Sequence, residues 1–214
     1  MASFNFCEKD HLHHEFIVEY YNTISNIPII LLGAYGSYYH YKLHKKYNIN
    51  FLILICIGFG SMFFHATMSR IGQLFDEIPM IWLNSFLLNE MFPFFIWFIM
   101  AFGISIFYSI FYQYKIFLIY FSLTGLFVFF TPMILRKSDL AKKILRISMF
   151  LFIAGFCCWI LDNTMCTMFH DYYLHAWWHI LAGISIYYYI QFQLALKPCK
   201  IYKNFPIVIK ISCD

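Results

Sequence analysis

The stretch HAWWHILAG, residues 175–183, sets two histidines four positions apart at the edge of a long apolar run. On a helix, residues i and i+4 share a face, so His175 and His179 can point at one object, a metal ion or a watery cavity. GSMFFHATMSR, residues 60–70, repeats the spacing with Ser61 and His65, and FDEIPM, residues 75–80, adds Asp76 and Glu77. Three histidines with a fourth position open is the ligand count of a catalytic zinc site rather than a closed structural one. A carboxylate beside such an ion can hold a water and take its proton, and a hydroxyl can steady the oxyanion that forms on attack. Asp76 and Ser61 are the candidates for those two tasks. The rival arrangement is a Ser–His–Asp triad with Ser61 as nucleophile and His65 as base, which leaves His175 and His179 without a task. Taken singly, a histidine near the end of an apolar run more often lines a cavity or an interface than binds a metal, so the elements that carry these residues must decide.

Those elements are set by composition. Of 214 residues, 62% are hydrophobic, 23% aromatic and only 12% charged, which excludes an ordinary soluble domain. A span across about 30 Å of hydrocarbon needs about 20 mostly apolar residues. The pattern predicts an all-α integral membrane protein, a bundle of seven transmembrane helices around an intramembrane zinc site. The expected spans are 22–41, 51–68, 76–90, 94–112, 116–135, 143–162 and 175–196. The third has a short apolar core with Pro79 and Pro93 near its ends, so six spans is the alternative. With no repeat or low-complexity segment, residues 1–214 read as one domain. It divides into a luminal segment 1–21, the bundle 22–196 and a cytosolic tail 197–214.

Basic residues orient the spans, because cytosolic loops carry the excess of Lys and Arg. With the N-terminus outside the cytosol, Lys42, Lys45, Lys46, Arg136, Lys137, Lys142, Lys143, Arg146, Lys197, Lys200, Lys203 and Lys210 fall on the cytosolic side. Only Lys9, Arg70 and Lys115 fall opposite. The formal charge of +4 then reflects topology and contact with anionic lipid, not nucleic-acid binding. Residues 1–15 lack an apolar core of the signal-peptide kind, so the first span is expected to direct insertion. In this orientation His65, Asp76, Glu77, His175 and His179 come from three separate helices and reach one depth near the non-cytosolic face. Ionisable groups inside a membrane mark functional sites, and a site among lipid-facing helices implies a substrate with a hydrocarbon tail. Amide or ester hydrolysis of a lipid is the expected class.

GFGSMFFHATMSRIGQLFDEIPM (58–80), FHAWWHILAG and FCEKDHLHHEFIVEYYNTISNIP (6–28) resemble the signatures of the alkaline ceramidases, within the wider superfamily that includes the adiponectin receptors. The resemblance runs from residue 5 to about 190 and is weak between 90 and 155. It implies hydrolysis of the ceramide amide to sphingosine and a free fatty acid in the endoplasmic reticulum or Golgi membrane, with no obligate protein partner. By resemblance, His65, His175 and His179 match zinc ligands, Asp76 the residue bound to the zinc water, and Ser61 the site serine. It also implies calcium at Asn5, Phe6 (through its carbonyl), Glu8, Asp10 and Glu19, where spacing alone shows only an acidic segment that also holds Glu15. The chain departs from the family there, with Asn5 for Asp, Phe6 for Trp and Asp10 for Asn. The resemblance further favours a Cys7–Cys166 disulfide, on the side where such bonds persist.

Other features read as structural. Trp177 and Trp178 suit an interface, with Trp178 also able to line a substrate chamber. His11, His13 and His14 read as exposed, Gly33 and Gly36 as close helix packing, and Asp162 and Asn163 as hydrogen-bonding support for the site. Four alternatives are weighed from the sequence: a receptor of the adiponectin-receptor type, which would place the N-terminus in the cytosol, a transporter or channel, a non-enzymatic lipid-binding chaperone, which would not need three metal-spaced histidines, and another lipid amidase or esterase.

Overall fold

The computed structural model describes residues 6–40, 45–93, 95–134, 138–196, 200–204 and 208–212. Its helices are α1 (Tyr20–Ile24), α2 (Ile27–His40), α3 (Lys45–Thr67), α4 (Arg70–Met91), α5 (Ile96–Phe111), α6 (Tyr114–Phe130), α7 (Asp139–Thr164), α8 (Cys166–Phe169) and α9 (Leu174–Ala195). Among the described residues seven of these, α2 to α7 and α9, run 14 residues or more. Two stretches, Asn48–Thr67 in α3 and Asp139–Thr164 in α7, are long and apolar enough by themselves to cross a membrane, while α5 and α6 are apolar but shorter. An all-α description needs one amendment. The tail pairs β1 (Lys200–Asn204) antiparallel with β2 (Val208–Ser212).

The helix ends follow local chemistry. Ser69 caps α4 by accepting from the Gly72 amide, and Ser138 caps α7 by accepting from Ala141. That cap corrects the expected start of the third span at residue 76: α4 begins six residues earlier, at Arg70, and Pro79 lies inside it. Gln73 falls outside the expected span, yet it is buried, as is Glu77 one turn later. The expected first span, 22–41, is broken at Ser25–Asn26 into α1 and α2.

α9 lies against α2, α3 and α7, and α3 packs between α2 and α4. From Tyr187 onward α9 is buried on nearly every face, with Tyr189, Ile190, Phe192 and Leu194 in the main core. Close approach explains Gly33: a Cβ there would stand 2.7 Å from Ile55 Cγ1 and 3.0 Å from the Phe51 carbonyl oxygen. Polar pairs join helices inside the bundle, including Ser148 Oγ to the Ser185 carbonyl at 2.8 Å and Asn84 Nδ2 to Thr124 Oγ1 at 2.9 Å. Outward, α5, α6 and α7 present Phe102, Ile110, Phe127 and Phe150, an apolar exterior that water does not favour.

Candidate functional site

His65 comes from the last turn of α3, and His175 and His179 from the first turns of α9. All three side chains are buried, and one ligand nitrogen from each lies within 4.8 Å of the other two. Among the described residues this is the one such group of His, Cys, Asp and Glu. Each histidine is held from behind. His65 Nδ1 meets Glu19 Oε2 at 2.6 Å, and His65 Nε2 is buried without a partner. His179 Nδ1 meets Ser25 Oγ at 2.8 Å, which leaves Nε2 for the centre, 3.5 Å from Ser61 Oγ. The His175 amide donates to Asp162 Oδ1 at 3.3 Å, anchoring the start of α9. A buried, unpartnered imidazole nitrogen whose other nitrogen is fixed by a carboxylate is the arrangement of a histidine metal ligand with its outer support. The donor set therefore fits a zinc-type ion.

The chain before α1 is folded onto this centre. The amides of Val18 and Glu19 donate to the carbonyls of Ala66 and His65, both at 3.1 Å, so the end of α3 finds partners in a preceding segment. Both oxygens of Glu8 accept from the start of α1, Oε1 from the Tyr21 amide and Oε2 from the Asn22 amide, each at 2.8 Å. Cys7 and Cys166 are joined as a disulfide with Cα atoms 5.3 Å apart, and the Cys7 amide donates to Asp162 Oδ2 at 3.2 Å. The Phe6 ring lies 3.7 Å from that of His175.

Of the residues expected to hold calcium, Glu8 and Glu19 are brought to the two sides of Asn22, whose amide serves the first and whose side chain serves the second at 3.0 Å. Asp10 is exposed, and Asn5 lies outside the described residues. Burial pushes the Glu8 carboxyl above its ordinary range despite its two amide donors, and the nearby Glu19 charge adds to the rise. Burial likewise pushes Glu19 up to about 7, against the hydrogen bond from Asn22.

A cavity opens beside the histidines. Its lining combines Ser61, Asp76, Glu77, His175 and His179 with Trp178, Phe117, Phe121, Phe152 and Ile186. Ser61 and Asp76 face each other across the α3–α4 contact. Polar groups set in a mostly apolar lining suit a lipid with a polar reactive group. The triad alternative is corrected here, because Ser61 Oγ reaches His179 Nε2 and not His65.

Trp178 lines the cavity while Trp177 is exposed. Asp162 supports the site, whereas Asn163 bonds only to the Trp159 carbonyl of its own helix. His11, His13 and His14 are exposed, with His13 Nε2 2.9 Å from the Tyr173 hydroxyl. Sequence reasoning missed Glu19 as the partner of His65 and Ser25 as the partner of His179. The available signal was Asn22, Ser25 and Asn26, polar positions at helical spacing in a run otherwise read as a span.

A helical bundle that buries three convergent histidines beside an apolar cavity has a donor set able to hold a metal ion. The ceramidase family model matches residues 1–210, and the chain belongs to that family. It is similar to alkaline ceramidase 1 of Mus musculus, 29% identical over 86% of this chain and 76% of the relative. It is also similar to alkaline ceramidase YPC1 of Saccharomyces cerevisiae, 28% identical over 100% of this chain and 79% of the relative. Alkaline ceramidase of Arabidopsis thaliana is 27% identical over 85% and 78%. The chain is an enzyme, a hydrolase of the ceramidase class.

Proposed function

We propose that the protein hydrolyses the N-acyl bond of ceramide, releasing a sphingoid base and a fatty acid, as a zinc-dependent amidase embedded in the membrane. The observation that carries this reading is the convergence of His65, His175 and His179, with the buried Nε2 of His65 unpartnered, beside a cavity that His175 and His179 line together with Ser61 and Asp76. Zinc held by the three histidines supplies, when bound, Lewis acidity toward the amide carbonyl and a water acidified to a pKa of about 7. Asp76 takes the proton of the attacking water and returns it to the departing nitrogen. Ser61, which faces Asp76 across the α3–α4 contact, donates a hydrogen bond to the oxygen that becomes negative as the carbonyl is attacked. Glu19 and Ser25 hold the imidazoles of His65 and His179 in the tautomers that present Nε2 to the ion. The apolar chamber binds hydrocarbon and keeps bulk water away from the amide.

The same reading takes the whole chain as one seven-span domain in the endoplasmic reticulum or Golgi membrane, N-terminus luminal and C-terminus cytosolic. Residues 1–21 would bind calcium through Asn5, the Phe6 carbonyl, Glu8, Asp10 and Glu19. Two neighbouring buried carboxyls, both pushed up, are what a hard cation would relieve. The substrate partner is a ceramide-type lipid in the bilayer, with no role for nucleic acid. The test is release of fatty acid from a panel of ceramides, other N-acyl amides and lipid esters by purified protein of measured zinc content. Zinc-dependent cleavage of ceramide supports the reading; ester cleavage without ceramide cleavage overturns it.

A further inference from the structure

Asp76 has a task in hydrolysis, but its neighbour Glu77 has none. Glu77 is 4% exposed and lines the same chamber as Asp76, His175 and His179. It is held from the outer end of α4. Its Oε1 accepts from Gln73 Nε2 at 2.8 Å, and Gln73 Oε1 accepts from the Tyr112 hydroxyl at 2.6 Å. The Tyr112 ring lies 4.0 Å beneath the Arg70 guanidinium. A hydroxyl donating to the amide oxygen of Gln73 fixes which way that amide faces, so its nitrogen turns to Glu77 and fixes the carboxyl in turn. Glu77 Oε2 is buried, with the Tyr108 hydroxyl as its neighbouring donor. Among the described residues no lysine or arginine forms an ion pair with Glu77, and none lines the chamber.

A buried carboxylate without a countercharge is costly, and a chain retains one where a ligand completes it. The reaction proposed above makes such a ligand. Water adds its oxygen to the acyl carbon, the C–N bond breaks, and the nitrogen collects both water protons. A neutral amide thereby becomes a carboxylate and a long-chain ammonium ion, with no other reactant. Resting on that reading, we propose that Glu77 forms an amine subsite, the charge partner of the sphingoid ammonium beside the reacting carbon. The tether through Gln73 and Tyr112 holds the carboxyl ready for the charge that appears only as the bond breaks.

The test is direct binding to zinc-loaded protein in lipid nanodiscs, corrected for empty nanodiscs, with three labelled probes of equal chain length. They are a sphingoid amine, its N,N,N-trimethyl derivative and the corresponding nitrogen-free diol. The trimethyl compound keeps the charge but has no lone pair for a metal. Both cations should bind about tenfold or more tightly than the diol. Glu77→Gln should abolish that preference while leaving diol affinity and zinc content unchanged. Equal binding of cations and diol by the native protein, which needs no variant to fold, overturns the subsite, as does a Glu77→Gln protein that keeps the preference. Ceramide turnover is measured separately on the same preparation. In the native protein, absence of the preference with turnover intact removes the subsite alone; a preference without turnover removes the proposed reaction and leaves a cation site.

Discussion

At the scale of single residues, the histidine centre separates groups that would meet a metal from groups that hold those groups. His175→Ala deletes a ligand, so both zinc content and ceramide hydrolysis should be lost; full zinc with normal turnover would remove it from the ligand set. Glu19 acts through His65 Nδ1 at 2.6 Å. Glu19→Gln should therefore lower zinc affinity by about 10–100-fold, the usual effect of an outer-shell partner, read by chelator competition. Ser61 and Asp76 divide differently. Loss of one oxyanion donor typically costs about 10²–10³ in rate. Ser61→Ala should retain measurable hydrolysis and Asp76→Asn should fall below it. A trapped acyl group on Ser61 would reverse that order and restore a serine nucleophile.

Elements matter because α3 and α9 deliver their histidines only if their ends are fixed. The end of α3 is fixed by Val18 and Glu19, and the start of α9 by Asp162, which also receives the Cys7 amide. The Cys7–Cys166 bond closes this arrangement over 159 residues of chain. Cys7→Ser should destabilise the fold by about 2–5 kcal/mol, read as a fall in Tm that reductant reproduces in the native protein. The α2–α3 contact sets the height of α3. With 2.7 Å between a Cβ at residue 33 and Ile55, Gly33→Leu should cost about 1–3 kcal/mol as overpacking. Thermal unfolding measures it, and an unchanged Tm would show that α2 can move without strain.

At the scale of the whole molecule, the asymmetry of charge and the depth of the site belong together. The basic residues cluster at one end of the expected bundle, and the three histidines lie near the other. In the proposed orientation an N-terminal tag is shielded from protease in sealed microsomes and a C-terminal tag is digested. Digestion of the N-terminal tag from the cytosolic face would invert the topology and move the site to the cytosolic leaflet.

How much of this was legible in the chain itself depends on the range over which each cause acts. Helical character and the approximate limits of most long helices follow from apolar runs, which are local. That His175 and His179 share a face follows from i, i+4 spacing, which is also local, whereas their meeting with His65 is tertiary. Tertiary structure decided the rest. α4 starts at Arg70, capped by Ser69, and its first turns bury Gln73 against Tyr112, a partner distant in sequence that hydropathy cannot carry. Ser61 pairs with His179 and not with the nearer His65 because α3 and α9 cross at that level. Glu19 reads as one more acid in an acidic segment until residue 65 is folded against it. Hydropathy and spacing record what each residue prefers, whereas the partner of a buried polar group is set by chain closure over tens to hundreds of residues.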